Sequence, residues 1–293
     1  MIIVRLCGGL GNQMFQYATG RRLASALGVE LKLDTTWYLT NKSRTYSLSH
    51  LNITGDSATG DEILRLKFLR MGFMERQLIK MRMLSPAPRY APSYIREKHF
   101  HFDPGILSLT DGTYLEGYWQ SEKYFIDIDE IIRHEFEVVS PQKGKNLEIA
   151  ELISSCESVS LHIRRQDYIS DPGTYQTHGV CDIEYYQRCI SHLAKRIENP
   201  CFFIFGDEPS WARDNLNIPF PSVIIDNNGM LHGYEDIRLM SQCKHHIIAN
   251  SSLSWWGAWL DQRTNKVVYA PRQWLKDTSH DSSTIIPADW NKI

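Results

Sequence analysis

The sequence predicts an α/β protein of two halves facing each other across a ligand cleft, and three observations carry this reading. Residues 1–33 pass from strand to glycine-rich turn to helix to strand. Residues 158–270 alternate strand and helix patterns, the order expected of a parallel sheet with right-handed crossovers. Between the halves, Ser140-Pro141-Gln142-Lys143-Gly144-Lys145-Asn146 has linker composition, which sets an N-terminal unit at 1–140 and a C-terminal, Rossmann-like unit at 141–293.

Met1-Ile2-Ile3-Val4-Arg5-Leu6 reads as the first strand because it is a short apolar run rich in β-branched residues. Cys7-Gly8-Gly9-Leu10-Gly11-Asn12-Gln13 makes a turn whose glycines, Gly11 among them, let the backbone come close to a ligand. Met14 to Leu27 continues as a helix that Gly28 ends, and Val29 to Leu33 forms a second strand. The GGLGN spacing is not the GxGxxG of dinucleotide folds. Asn12 reads either as an N-cap or as an amide presented to a ligand at a helix N-terminus. From Asp61 to Leu84, apolar residues including Leu64, Phe68, Met71 and Met74 recur at three- and four-residue steps among Arg65, Arg70 and Arg76. That is a basic amphipathic helix or helix pair, expected to pack on its own domain, with an anionic membrane surface as the alternative.

Tyr114 to Gln120 reads as a strand that leaves Trp119 and Gln120 near its end. Asp127-Ile128-Asp129 matches the DxD that holds a divalent metal in many sugar transferases. It opens a helical pattern, however, where acids suit the helix dipole, and the structural reading is preferred. Beyond the linker, strands are expected at 158–163, 201–205, 222–226, 245–249 and 266–270, and helices near 182–198, 209–216, 234–243 and 252–260.

Composition is that of an ordinary globular protein, with 42% hydrophobic and 23% charged residues and a net charge of -2. Such a balance gives no global attraction to nucleic acid. Six scattered cysteines without CxxC spacing fit neither a disulfide framework nor a zinc site. No run has the eighteen or so apolar residues a membrane span needs. Met1 leads into a strand pattern without a signal sequence, so a cytoplasmic location is expected, with peripheral membrane contact as a second expectation.

In a parallel sheet the residues after each strand share one edge, where α/β proteins hold ligands. In this chain those residues are Arg164, Arg165 and Asp167 after the first strand of the C-terminal half, then Asp207 and Glu208, then Asp226-Asn227-Asn228, then Asn250-Ser251-Ser252 opening a helix. Arginine forks and a helix N-terminus suit the oxygens of a pyrophosphate. A carboxylate can accept both N1–H and the amino group of guanine, and Asp236, Asp207, Glu208 and Asp226 are candidates for that role. For Trp119, Trp255 and Trp256, core packing is preferred over a platform for sugars.

The stretch His162-Ile163-Arg164-Arg165-Gln166-Asp167-Tyr168 resembles the HxRRxDY motif of α-1,2-fucosyltransferases, glycosyltransferase family 11. Gly8-Gly9-Leu10-Gly11-Asn12-Gln13-Met14-Phe15-Gln16-Tyr17-Ala18 is similar to that family's N-terminal signature. Leu239-Met240-Ser241 through Leu260 resembles its third block, and His178-Gly179-Val180-Cys181 with Tyr185-Tyr186 is similar as well. The resemblance implies a GT-B fold, GDP-β-L-fucose as donor, and inverting transfer to the 2-hydroxyl of a terminal β-galactoside on an oligosaccharide or lipid-linked glycan. It also implies that no metal or other cofactor is required. It places His162 near guanine or ribose, Arg164 and Arg165 on the diphosphate with Ser252 beside them, Asp236 on guanine and Asn12 near the reacting sugar.

Around these residues, Gly11, Asn250 and Ser251 complete the expected donor site, and Trp119, Gln120, His178 and Gly179 the acceptor side. Asp167 either takes the acceptor proton or orients the arginines. Related α-1,6 enzymes carry a glutamate past the motif where this chain has Asp171-Pro172-Gly173, so the base stays open. The resemblance further implies a bacterial enzyme of surface polysaccharide such as O-antigen. A GDP-sugar transferase of other donor or linkage, and a non-catalytic module that binds glycan or nucleotide sugar, are the alternatives.

Overall fold

The computed structural model describes residues 1–69 and 89–293, except the side chain of Asp167. Strands β1 (Ile2–Arg5), β2 (Leu31–Asp34), β3 (Asp56–Ser57), β4 (Tyr94–Arg96) and β5 (Thr113–Glu116) form a parallel sheet in the order β3-β2-β1-β5-β4. Strands β6 (Glu157–Ile163), β7 (Pro200–Gly206), β8 (Ser222–Ile224), β9 (His245–Ile247), β10 (Val268–Ala270) and β11 (Asn291–Lys292) form a second, ordered β11-β10-β9-β6-β7-β8 and parallel throughout. The expected helices of the C-terminal half lie at Ile183–Ala194, Pro209–Asn215, Gly233–Gln242 and Ser252–Leu260.

The first helix runs Leu10–Leu27, and Gly28 closes it in the left-handed conformation at φ 63°. It starts at Leu10 with Gly9 as N-cap, so Asn12 lies inside the first turn, which corrects its reading as an N-cap. The strand expected to reach Gln120 ends at Glu116; Trp119 beyond it has φ 56° and packs edge-on against Tyr124. Helix Leu10–Leu27 is buried on most of its surface because it lies between the first sheet and helix Ser252–Leu260. Phe15 packs 4.5 Å from the Trp255 ring and 4.8 Å from the Trp256 ring, Phe125 stacks on Trp256 and Phe136 meets it edge-on. One hydrophobic core therefore crosses from one sheet to the other.

That core settles the tryptophans. Trp119, Trp255 and Trp256 are buried at 1%, 0% and 0% exposure, so none is a platform for a sugar, and the acceptor role expected of Trp119 is corrected. The DxD acids are likewise structural: Asp127 forms a two-pronged ion pair with Arg22 at 2.8 Å, and Asp129 opens helix Asp129–Glu135 facing Arg133. Of the basic amphipathic stretch, Gly60–Lys67 is a helix with a Thr59–Glu62 capping box, while residues 70–84 lie outside the described residues. Among the described residues no helix is long and apolar enough to cross a membrane.

A buried polar rivet holds the second sheet. His246 Nε2 lies 3.0 Å from Asp261 and its Nδ1 lies 2.8 Å from the Ser160 hydroxyl. Facing a carboxylate, Nε2 carries the proton and Nδ1 accepts from Ser160. All three residues are buried, so this serine–histidine–aspartate row meets no substrate. Asp261→Ala strips His246 and Arg263 of their shared acceptor. Its expected cost is about 1–3 kcal/mol in chemical denaturation, with turnover per folded molecule unchanged.

Candidate functional site

β6 runs through the centre of the second sheet and ends at Ile163, so Arg164 and Arg165 emerge at its C-terminal edge between β7 and β9. Gly206 permits this closeness, since a Cβ there would lie 2.6 Å from the Ile163 carbonyl oxygen. Asp207, one residue on, accepts the backbone N–H of Arg165 at 3.0 Å and of Gln166 at 3.2 Å, and pairs with Arg164 Nη1 at 3.4 Å. Glu208 accepts Arg165 Nε at 3.1 Å, and the Arg165 guanidinium lies 4.1 Å over the Trp211 ring. Two acids and an indole thus fix the arginine forks before any ligand arrives, the preorganisation a phosphate clamp needs.

Asp207 and Glu208 were candidates for reading guanine; the structure gives them to the arginines instead. Asp226 is taken by Arg213 at 2.6 Å and Lys145 at 3.3 Å. Asp236 differs. It stands in the first turn of helix Gly233–Gln242, and its Oδ1 accepts from the neutral amide of Asn228 at 2.7 Å. Burial pushes its pKa up to about 7, against the lowering by Asn228. His162 is buried on β6, and burial, then the nearby Arg164, lower its pKa to about 3, so its ring is neutral. Its Nδ1 has no hydrogen-bond partner among the described residues.

β9 leads through Asn250 to helix Ser252–Leu260. Asn250 is a staple: its amide donates to the carbonyls of His178 at 2.9 Å and Trp274 at 3.3 Å, which ties the 178–181 turn to the strand end. Its side chain therefore supports the edge and does not face a ligand, a correction to its expected donor contact. Ser251 is the N-cap residue, buried at 6%, and makes no side-chain cap bond.

Ser252 reaches across to the other half. Its hydroxyl donates to Asn12 Oδ1 at 2.8 Å, and Gln120 Nε2 donates to the same oxygen at 2.8 Å. Trp256 Nε1 donates to the Gly11 carbonyl at 3.0 Å. Two helix N-termini, at Leu10 and Ser252, therefore meet beside the arginines.

His178 stacks on Tyr168 at 4.9 Å, and Gly179 takes φ 63° against Lys276. Both belong to the C-terminal half beside the arginine motif, whereas Gln120 lies at the junction with Asn12. Asp171 caps helix Pro172–His178 by accepting the Thr174 N–H at 3.0 Å. Asp167 falls in the short helix Gln166–Ser170, and its side chain lies outside the described residues. Sequence reasoning missed Trp211 under Arg165 and Glu97 behind Trp119; both are set by tertiary packing and have no periodic signal.

With this geometry in place, comparison with known proteins is decisive. Residues 94–293 match the family described as Glycosyl transferase family 11. An alpha-1,2-colitosyltransferase of Escherichia coli is 33% identical over the whole of this chain and 99% of its own length. The chain belongs to glycosyl transferase family 11.

A galactoside 2-alpha-L-fucosyltransferase of Bos taurus is 29% identical over 35% of this chain and 28% of its own. Among solved structures, POFUT1 in complex with GDP superposes with a TM-score of 0.51 at 12% identity, covering 91% of this chain and 97% of that one. That likeness concerns the fold, which is GT-B, built on two parallel α/β sheets. The family 11 chain is a glycosyltransferase in which the helix that follows the neighbouring strand β9, starting at Ser252, touches the glycine-rich turn.

Proposed function

We propose that this family 11 glycosyltransferase moves L-fucose from GDP-β-L-fucose to the 2-hydroxyl of a terminal β-galactoside, with inversion and without a metal. The observation that carries the reading is that Asp207 and Glu208 hold Arg164 and Arg165 on the same sheet edge from which Ser252 reaches Asn12 in the GlyAsn turn of the other half. Breaking the anomeric C–O bond returns negative charge to the diphosphate. Two fixed guanidinium forks and a helix N-terminus stabilise that charge as Mg²⁺ does in other transferases. GDP in the solved POFUT1 complex supports a guanine nucleotide donor, and the bovine relative's name supports fucose on a galactoside. Bacterial surface polysaccharide is the proposed acceptor setting, with the basic stretch from residue 61 as peripheral contact to an anionic membrane.

Colitose is the second reading, favoured by the name of the 33% identical relative. It lacks the 3-hydroxyl of L-fucose, so rates with GDP-fucose and GDP-colitose in direct competition decide between them.

Asp236 gives the donor reading a pH signature. As a guanine-reading carboxylate it must be ionised, yet in the free protein burial holds its pKa at about 7. Below that pH a proton has to leave on binding, so GDP affinity is expected to fall about tenfold per pH unit in calorimetry. The folded pKa lies above the unfolded value of about 3.9, so this group also withdraws stability from the free protein as pH rises from about 4 to about 7. Asp236→Asn should flatten both dependences and weaken GDP binding at pH 8. An unchanged affinity in that variant would remove Asp236 from the guanine site.

A further inference from the structure

Transfer of a sugar to a hydroxyl releases one proton, and the arginines of the donor edge cannot take it because they stay charged. Asp207, Glu208 and Asp226 are paired with cations there. On the N-terminal sheet, the parallel order brings the residues after β1, β2, β4 and β5 to one edge. Cys7, Tyr38, Glu97 and Tyr118 stand there.

Glu97 is half-buried and has no ion pair among the described residues. Its Oε2 accepts the N–H of Tyr118 at 2.6 Å and its Oε1 that of Trp119 at 2.9 Å, so the carboxylate is fixed in the plane of the turn. Gly117 makes room, since a Cβ there would lie 2.4 Å from the Glu97 Cβ. Trp119 is held at φ 56°, a conformation that costs a non-glycine residue on the order of 1–3 kcal/mol and recurs at functional sites. The next residue, Gln120, donates to Asn12 Oδ1, the oxygen that Ser252 reaches from the donor half. A single turn thus joins the carboxylate to the junction between the two halves.

We propose that Glu97 is the carboxylate that accepts the proton of the acceptor hydroxyl, in an acceptor subsite shared with Tyr38 and Tyr118; this rests on the sugar-transfer reading above. The acceptor oxygen bonds to the anomeric carbon as its O–H bond breaks toward a Glu97 oxygen. The anomeric C–O bond breaks with its electron pair, which leaves on the nucleoside diphosphate. The groups facing Glu97 are the Cys7 thiol after β1, the Tyr118 hydroxyl after β5 and the Tyr124 hydroxyl. Burial raises the pKa of all three, so they are neutral at pH 7. Burial also holds Glu97 above the ordinary carboxylate range, against the lowering by its two N–H donors, which brings a base closer to working pH.

The test measures kcat at saturating donor across pH for wild type, Glu97→Gln and Glu97→Asp, with GDP affinity by calorimetry and thermal midpoints alongside. Wild-type kcat is expected to fall on the acid side with a midpoint above the ordinary carboxylate range. Glu97→Gln should lose about 10²–10⁴-fold in kcat together with that acid limb, while GDP affinity stays at the wild-type value. Glu97→Asp should keep the limb at a fraction of the rate. Full turnover in Glu97→Gln, or a wild-type kcat that is flat from about pH 4 to 8, overturns the assignment. Should the glutamine variant lose its fold, the wild-type profile and the aspartate variant decide. A wild-type chain that binds no GDP overturns the donor reading as well; GDP binding with undiminished glutamine-variant turnover overturns Glu97 alone.

Discussion

Arg165→Ala is expected to lower acceptor-dependent GDP release by roughly 10²–10³-fold, the loss typical when one preorganised donor to a developing anion is removed. Arg165 is firmly fixed: Glu208 holds its Nε, Trp211 lies under its guanidinium plane, and Asp207 holds its backbone N–H. The ligand therefore meets an oriented fork and spends little on ordering it. Arg165→Lys keeps the charge but loses the fork and the planar stack on Trp211, so it should recover only part of the rate. Steady-state kinetics with GDP affinity from calorimetry checks both variants, and wild-type turnover in Arg165→Ala would separate the arginine from the chemistry.

Gly11→Ala is expected to be strongly damaging. Its Cβ would lie 2.5 Å from the Ser252 carbonyl carbon and 2.6 Å from the Leu253 nitrogen, and both are backbone atoms at a helix start that cannot rotate away. Relief requires helices Leu10–Leu27 and Ser252–Leu260 to part, yet between them Phe15 is packed on Trp255 and Trp256. Overpacking of this kind costs about 1–3 kcal/mol or more. For a chain of this size that lowers the melting temperature by about 2–4 °C per kcal/mol. The Ser252–Asn12 bond goes with it, so activity should fall further than stability. Gly9→Ala is the control, because its Cβ would meet only the flexible Arg44 side chain at 3.9 Å.

The sequence made five strands and four helices of the C-terminal half legible, because short apolar runs alternate there with longer amphipathic ones, while helices Lys145–Ser154, Gln166–Ser170 and Pro172–His178 and strand Asn291–Lys292 went unread. The edge was legible too: once the strands are parallel, Arg164, Arg165, Asp207 and Ser252 must share it. Pairing was not. Asp207 and Glu208 look the same in sequence as Asp236, and only the fold shows that the first two orient arginines while the third meets an amide. Asn12 escaped because helix Leu10–Leu27 starts four residues before the expected Met14. At Trp119 the burial was legible, while the left-handed turn beyond a strand that already ends at Glu116 was not. Glu97 carries no pattern at all, and its position follows from the β4–β5 pairing and from Gly117.

The most direct test of the arginine edge as a donor site is GDP release from GDP-fucose in EDTA, with and without lactose, followed by linkage analysis of the product. The expected result is release that depends on lactose, is unaffected by EDTA, and yields fucose on the galactose 2-hydroxyl. A wild-type chain that neither releases nor binds GDP would contradict the account at its root, since Arg164, Arg165 and the Ser252 helix would then be fixed in place for something other than a nucleotide diphosphate.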